Sequence, residues 1–145
     1  IVLNRRKRRD GKSLEHHRAA IVDGNAIPYA AQPHTEGNRR PDFLFPSESA
    51  YHDIGYPSYR LVFLGAKTTC KDRWRQVINE ANRIIVKHLF TLQQGISTQQ
   101  LDEMEDEHII LVVPKPYISA YPQEKRDSIW TLDKFIAFVR ERTGS

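Results

Sequence analysis

Residues 59–92 read YRLVFLGAKTTCKDRWRQVINEANRIIVKHLFTL, and the way this stretch divides into strand and helix decides the fold. Leu61-Val62-Phe63-Leu64 is an unbroken apolar run. Successive side chains of a strand point to opposite faces, so such a run suits a strand covered on both sides. It predicts a central strand over residues 59–66. From residue 71 the pattern changes. Trp74, Val77, Ile78, Ala81, Ile84, Ile85, His88 and Leu89 recur at steps of three and four, the spacing of one buried helical face. This spacing predicts a single long helix over residues 71–92, with Glu80 at the border of its apolar face and Arg73 two turns earlier on nearly the same line.

On the N-terminal side, Pro41-Asp42-Phe43-Leu44-Phe45-Pro46 predicts a short strand bracketed by prolines, followed by a polar turn or short helix holding Tyr51, His52 and Asp53. Ser13 can cap a helix over residues 13–22 with Glu15 in its first turn, and a short strand is expected within residues 26–31. On the C-terminal side, Ser97 can cap a short helix through Leu101 and Met104. Residues 109–113 form another buried strand before Pro114, and residues 131–142 a last amphipathic helix. The expected order is α, β, β, β, α, α, β, α, which gives an α/β fold: a mixed central β-sheet flanked by helices. No Gly-rich phosphate loop follows a strand, and neither a G-x-S-x-G elbow nor an internal repeat occurs, which sets aside nucleotide-binding and serine-hydrolase readings.

The 145 residues suit one domain spanning 1–145, and Ile1 in place of an initiator Met reads as a piece of a longer protein. A net charge of +4 and a pI near 9.3 suit a polyanionic partner without demanding one. The average hides a basic run at Arg5, Arg6, Lys7, Arg8 and Arg9 and an acidic block at Asp102, Glu103, Glu105, Asp106 and Glu107. The single Cys70 excludes an intrachain disulfide and a multi-cysteine zinc site, and it points to a reducing compartment. No apolar run approaches the roughly 20 residues that span a bilayer, so no membrane role is expected.

Three residues could meet. If the strands containing Asp42 and Lys67 are antiparallel neighbours, the start of the first lies beside the end of the second. Glu80 could reach the same sheet edge from the following helix. Two carboxylates and a lysine around one point are what Mg²⁺-assisted phosphodiester hydrolysis requires of a protein, since Mg²⁺ takes a few carboxylate oxygens together with phosphate and water. Each residue also has an ordinary reading: a turn aspartate, a solvated lysine at a strand end, a water-facing helical glutamate. Spacing alone does not choose between them. Of the histidines His16, His17, His52 and His88, the adjacent pair at 16 and 17 points to different helix faces and His88 lies on the apolar stripe. None is expected to bind a metal.

The same segments resemble a family, the catalytic C-terminal domain of EcoRII-type restriction endonucleases within the PD-(D/E)XK nuclease superfamily. The resemblance covers nearly the whole chain. It rests on Gly11 through His16, Pro41-Asp42-Phe43, Tyr51-His52-Asp53, the block from Leu64 through Gln76, Glu80, Lys87-His88-Leu89 and Leu111-Val112-Val113-Pro114. The superfamily usually carries an acidic residue two positions before the lysine. That position here is Gly65, and the EcoRII-like branch looks to have moved the carboxylate to Glu80. The resemblance implies a restriction-endonuclease-like core and an Mg²⁺-dependent type II enzyme cutting double-stranded DNA at a CC(A/T)GG-like site. It also implies a homodimer in a bacterial or archaeal cytoplasm, here without the N-terminal effector domain. Asp42 and Glu80 would hold the metal, Lys67 would position water or stabilise charge, and Glu15 would assist. Tyr51 matches a position tied to activity. Lys71, Asp72 and Arg73 would read C·G pairs, and Arg5, Arg9 and Lys12 would contact phosphates. The alternatives are another nuclease of the superfamily, for repair or junction cleavage, and a non-catalytic DNA-binding module.

Overall fold

Val62, Phe63 and Leu64 alternate across one strand, and the structure fills both faces of the sheet they build. The computed structural model describes residues 28–33, 35, 42–67 and 73–143. The expected helix at residues 13–22 lies outside this set, as do Glu15, Arg5, Arg9, Lys12, Lys71 and Asp72. Five strands form one sheet in chain order: β1 (Ala30–Ala31), β2 (Phe43–Phe45), β3 (Val62–Lys67), β4 (Lys87–Thr91) and β5 (Ile109–Val112). The first two pairings are antiparallel and the last two parallel, so β3 sits at the centre where the sheet changes character.

One face of the sheet buries Leu44, Phe63, Leu89 and Leu111 against Trp74, Val77, Leu101 and Met104. The opposite face buries Phe43, Phe45, Val62, Leu64, Phe90 and Val112 against Phe135 and Val139. Among the described residues the α-helices are α1 (Glu48–His52), α2 (Thr98–Asp106) and α3 (Leu132–Thr143). Ser97 caps α2, its hydroxyl accepting the Gln100 N–H at 3.2 Å, and α2 is the crossover between parallel β4 and β5. In α3 the buried pair Phe135 and Val139 lies one turn apart and lays that helix on the second face.

The long helix expected over residues 71–92 does not form. Arg73–Asn79 is a 3-10 segment, the chain reverses at Ala81 with φ of +53°, and Lys87–Thr91 is a strand. Two physical facts account for the difference. Trp74 and Val77 are three apart, which one face of a 3-10 helix satisfies as well as an α-helix does. Residues 87–91 find strand partners on both edges, β3 on one side and β5 on the other, and this pairing overrides the helical spacing. All five residues of β4 are buried, because it pairs on both edges and is covered on both faces. Short apolar runs of this kind suit either element by periodicity. With a 3-10 segment over residues 73–79, the α-helical spacing that set Arg73 two turns before Glu80 on one line no longer applies. Residues 59 and 60, expected as strand, belong to a 3-10 turn over Ser58–Arg60.

Candidate functional site

The antiparallel ladder pairs Phe43 with Leu64, so the residue before β2 arrives beside the last residues of β3. There the Asp42 carboxylate takes over from the ladder: its Oδ2 accepts the Ala66 N–H at 2.8 Å. The Asp42 carbonyl accepts the Gln32 N–H at 2.9 Å, so the residue is held by the sheet on both sides. Lys67 follows Ala66 immediately, at the end of β3. Asp42 and Lys67 are thus fixed by strand register.

Glu80 comes from elsewhere. The 3-10 segment packs Trp74 and Val77 into the core, its last turn closes with the Glu80 N–H donating to the Val77 carbonyl at 3.1 Å, and buried Ala81 turns the chain away. The half-buried Glu80 carboxyl is raised from 4.5 to about 7, chiefly by burial. Lys67 offsets this in part, the Asp42 charge adds to it, and Lys87 acts weakly in the sense of Lys67. These electrostatic effects require Asp42, Lys67 and Glu80 to share one neighbourhood. Asp42 and Lys67 meet at one end of β3 by strand register, and Glu80 lies within electrostatic reach of both, on a bend after a 3-10 segment and not in a long helix.

Gly65 explains the arrangement. A Cβ at this position would lie 3.2 Å from Val77 Cγ1 and 3.3 Å from Leu89 Cδ1. A side chain two positions before Lys67 would therefore grow into packed apolar atoms, and the segment that fills this space also carries Glu80.

The donor set fits a hard divalent cation. Two carboxylates leave room for phosphate and water, as Mg²⁺ prefers. A partly buried glutamate raised to about 7 is a group that a second positive charge would stabilise in its ionised form. Among the described residues no group of three or more His, Cys, Asp or Glu side chains is placed to hold a metal.

The remaining expected residues are distributed as follows. Tyr51 is buried at 3% exposure in α1, and its hydroxyl accepts the Arg83 N–H at 3.2 Å. His52 is exposed and lies edge-on to the Tyr51 ring. His88 is a core histidine in β4, ringed by Trp130, Phe135 and Phe138 at centroid distances of 4.7 to 5.1 Å. Arg73 opens the 3-10 segment. Residue-level reading passed over Arg83, whose partners lie 25 to 33 residues away in sequence. Only the turn-prone pair Asn79 and Asn82 around Glu80 hinted that the chain bends there.

The mixed sheet and its helices define a restriction-endonuclease-like fold. The structure matches two solved structures over 99% of this chain and 50% of theirs. One is metal-depleted Ecl18kI in complex with uncleaved DNA, with a TM-score of 0.73 at 18% identity, and the other its complex with uncleaved, modified DNA, with a TM-score of 0.72 at 17% identity. Sequence carries the assignment further. A family model described as EcoRII C terminal matches residues 1–136. The type II restriction enzyme EcoRII of Escherichia coli is 50% identical over 144 residues, 99% of this chain and 35% of the relative. The chain belongs to the EcoRII C-terminal family, and it spans about a third of the length of the curated relative it matches.

Proposed function

We propose that this chain is the catalytic domain, over residues 1–145, of a Mg²⁺-dependent type II restriction endonuclease that hydrolyses double-stranded DNA at a CC(A/T)GG-like site. The observation that carries this reading is the meeting of Asp42, Lys67 and Glu80 at one end of β3, each delivered by a different element. Membership of the EcoRII C-terminal family supports it, as does a fold shared with proteins solved on DNA.

Asp42 and Glu80 would hold the cation. Bound there, Mg²⁺ supplies Lewis-acid chemistry for attack of water on the phosphodiester. Asp42 is suited to its part because the Ala66 N–H fixes one carboxylate oxygen. Glu80 is suited because partial burial makes its negative charge costly until a cation arrives. Lys67 orients the attacking water and steadies the growing negative charge on the phosphate. Glu15 assists from outside the carboxylate pair. Tyr51 acts through architecture, since its hydroxyl is engaged by the Arg83 N–H. Lys71, Asp72 and Arg73 follow Lys67 closely in the chain, so reading of C·G pairs in the major groove would sit next to cutting. Arg5, Arg9 and Lys12 add phosphate contacts that strengthen binding without reading sequence. Cutting both strands of a nearly two-fold site is most simply done by a homodimer with two-fold symmetry. The relative is from Escherichia coli, and a bacterial cytoplasm is the setting in which we place the enzyme.

The test is a panel of duplexes with Mg²⁺. The expected result is cutting of a duplex containing CC(A/T)GG and sparing of one lacking it. Equal cutting of both, or cutting of branched DNA alone, would point to a repair or junction nuclease, and binding without cutting to a non-catalytic module.

A further inference from the structure

Glu80 stands on a turn that ought to be hard to hold. The chain leaves the 3-10 segment and at once enters the left-handed region at Ala81, a conformation that L residues rarely adopt and that persists only where surroundings impose it. The Ala81 side chain is fully buried, and the turn closes with the Ile84 N–H donating to the Ala81 carbonyl at 3.0 Å. At the far end of the turn, the Lys87 ammonium donates to the Ile84 carbonyl at 2.7 Å. Between Ala81 and Ile84 lie Asn82 and Arg83.

Arg83 is bonded almost entirely to one other segment. Its backbone N–H donates to the Tyr51 hydroxyl. Its guanidinium donates to the carbonyls of Ala50, Tyr51, Asp53 and Tyr56 and to the Ser58 hydroxyl, with the Tyr56 carbonyl at 2.6 Å and that of Asp53 at 3.1 Å. It also lies over the Tyr51 ring, 5.6 Å from the centroid. Two of these carbonyls, of Ala50 and Tyr51, lie in the last turn of α1 and the other two, of Asp53 and Tyr56, follow it, and a rigid fork of five N–H donors is suited to collecting them. One residue, three positions after Glu80, therefore ties the Glu80 turn to residues 50–58.

We propose that Arg83 is a positioning residue for Glu80, setting the carboxylate for the cation through the Ala81–Ile84 turn, and that Tyr51 serves the same purpose by accepting the Arg83 N–H. This inference rests on the reading of Glu80 as a metal ligand. A ligand carried on a turn binds a cation well only if its supports keep it within a fraction of an ångström, and loss of such supports typically costs 10- to 100-fold in metal affinity.

The experiment is Mn²⁺ binding to the intact chain by electron paramagnetic resonance, paired with the Mg²⁺ concentration that gives half-maximal cutting. Wild type, Glu80→Gln, Arg83→Met, Arg83→Lys and Tyr51→Phe are compared, each checked for folding by circular dichroism. Arg83→Met is expected to weaken Mn²⁺ binding about 10- to 100-fold and to raise the Mg²⁺ requirement by the same factor, while metal-free affinity for duplex stays at the wild-type value. Arg83→Lys keeps the charge without the fork and is expected to remain close to Arg83→Met. Tyr51→Phe removes one hydroxyl from a ring that still packs, so it reports even if the Arg83 variants fail to fold. Its expected loss is smaller and in the same direction. Mn²⁺ binding within twofold of wild type in folded Arg83→Met or in Tyr51→Phe overturns the inference, as does full recovery in Arg83→Lys. Wild-type binding by Glu80→Gln instead overturns the underlying assignment of Glu80.

Discussion

A carboxylate two positions before Lys67 would have to grow from Gly65 into space that Val77 and Leu89 already occupy. Gly65→Asp is therefore expected to destabilise the fold by about 1–3 kcal/mol, through overpacking and an unpaired buried charge, measurable as a lower urea midpoint. The double variant Gly65→Asp, Glu80→Ala is expected to remain inactive, since the new carboxylate would point into the core. Cutting restored to near wild-type rate by that pair would show that the two positions are interchangeable. Lys67 has a different job. Removing one group that steadies transition-state charge typically costs 10²- to 10³-fold in rate, so Lys67→Ala should lower the single-turnover rate by about that factor while duplex binding changes little.

Among the elements, β4 holds the feature least compatible with a simple strand. His88 is 1% exposed, and neither of its ring nitrogens has a hydrogen-bond partner among the described residues. Burial, with a smaller contribution from Arg142, lowers its pKa from 6.5 to about 3. The folded state thus keeps His88 neutral, while the unfolded chain takes up its proton below 6.5. Stability is full above that pH and falls as pH drops from 6.5 towards 3, by roughly 1.4 kcal/mol per unit. Melting temperatures across this window should slope accordingly, and His88→Leu should flatten the slope; an unchanged slope would assign the acid sensitivity to another group. The capping hydroxyl of α2 gives a smaller effect, with Ser97→Ala expected to cost about 1 kcal/mol. The same elements mark how far the sequence could be read. β3, α2, β5 and α3 were legible because a long apolar run, a capping serine and clean periodicity each admit one element. The Asp42–Lys67 meeting was legible because strand order alone brings those ends together. β4 was not, since its apolar run continues the helical spacing that Trp74 and Val77 begin, and only pairing with β3 and β5 decides it. Glu80 was expected on a long helix and stands on a bend after a 3-10 segment. Arg83 could not be found at all, because its role consists of contacts with carbonyls far back in the chain.

At the scale of the whole molecule, a sheet that is antiparallel on one side of β3 and parallel on the other places two different kinds of support around one strand end. The antiparallel side delivers Asp42 by register. The parallel side needs a crossover, and that crossover delivers Glu80. This division predicts distinct outcomes for the two carboxylates: loosening the crossover should weaken metal binding and leave Asp42 in place, whereas disturbing β2 should cost both the site and the core it belongs to. The homodimer proposed for cutting two strands predicts a dimer mass by analytical ultracentrifugation in the presence of duplex. The most direct test of the account is the Mg²⁺-dependent cutting of a CC(A/T)GG duplex by wild type and by Asp42→Ala, Lys67→Ala and Glu80→Ala, each confirmed as folded. The account predicts cutting by wild type and a loss of at least about 10²-fold in all three variants; undiminished cutting by any one of them would contradict a single site built from the three.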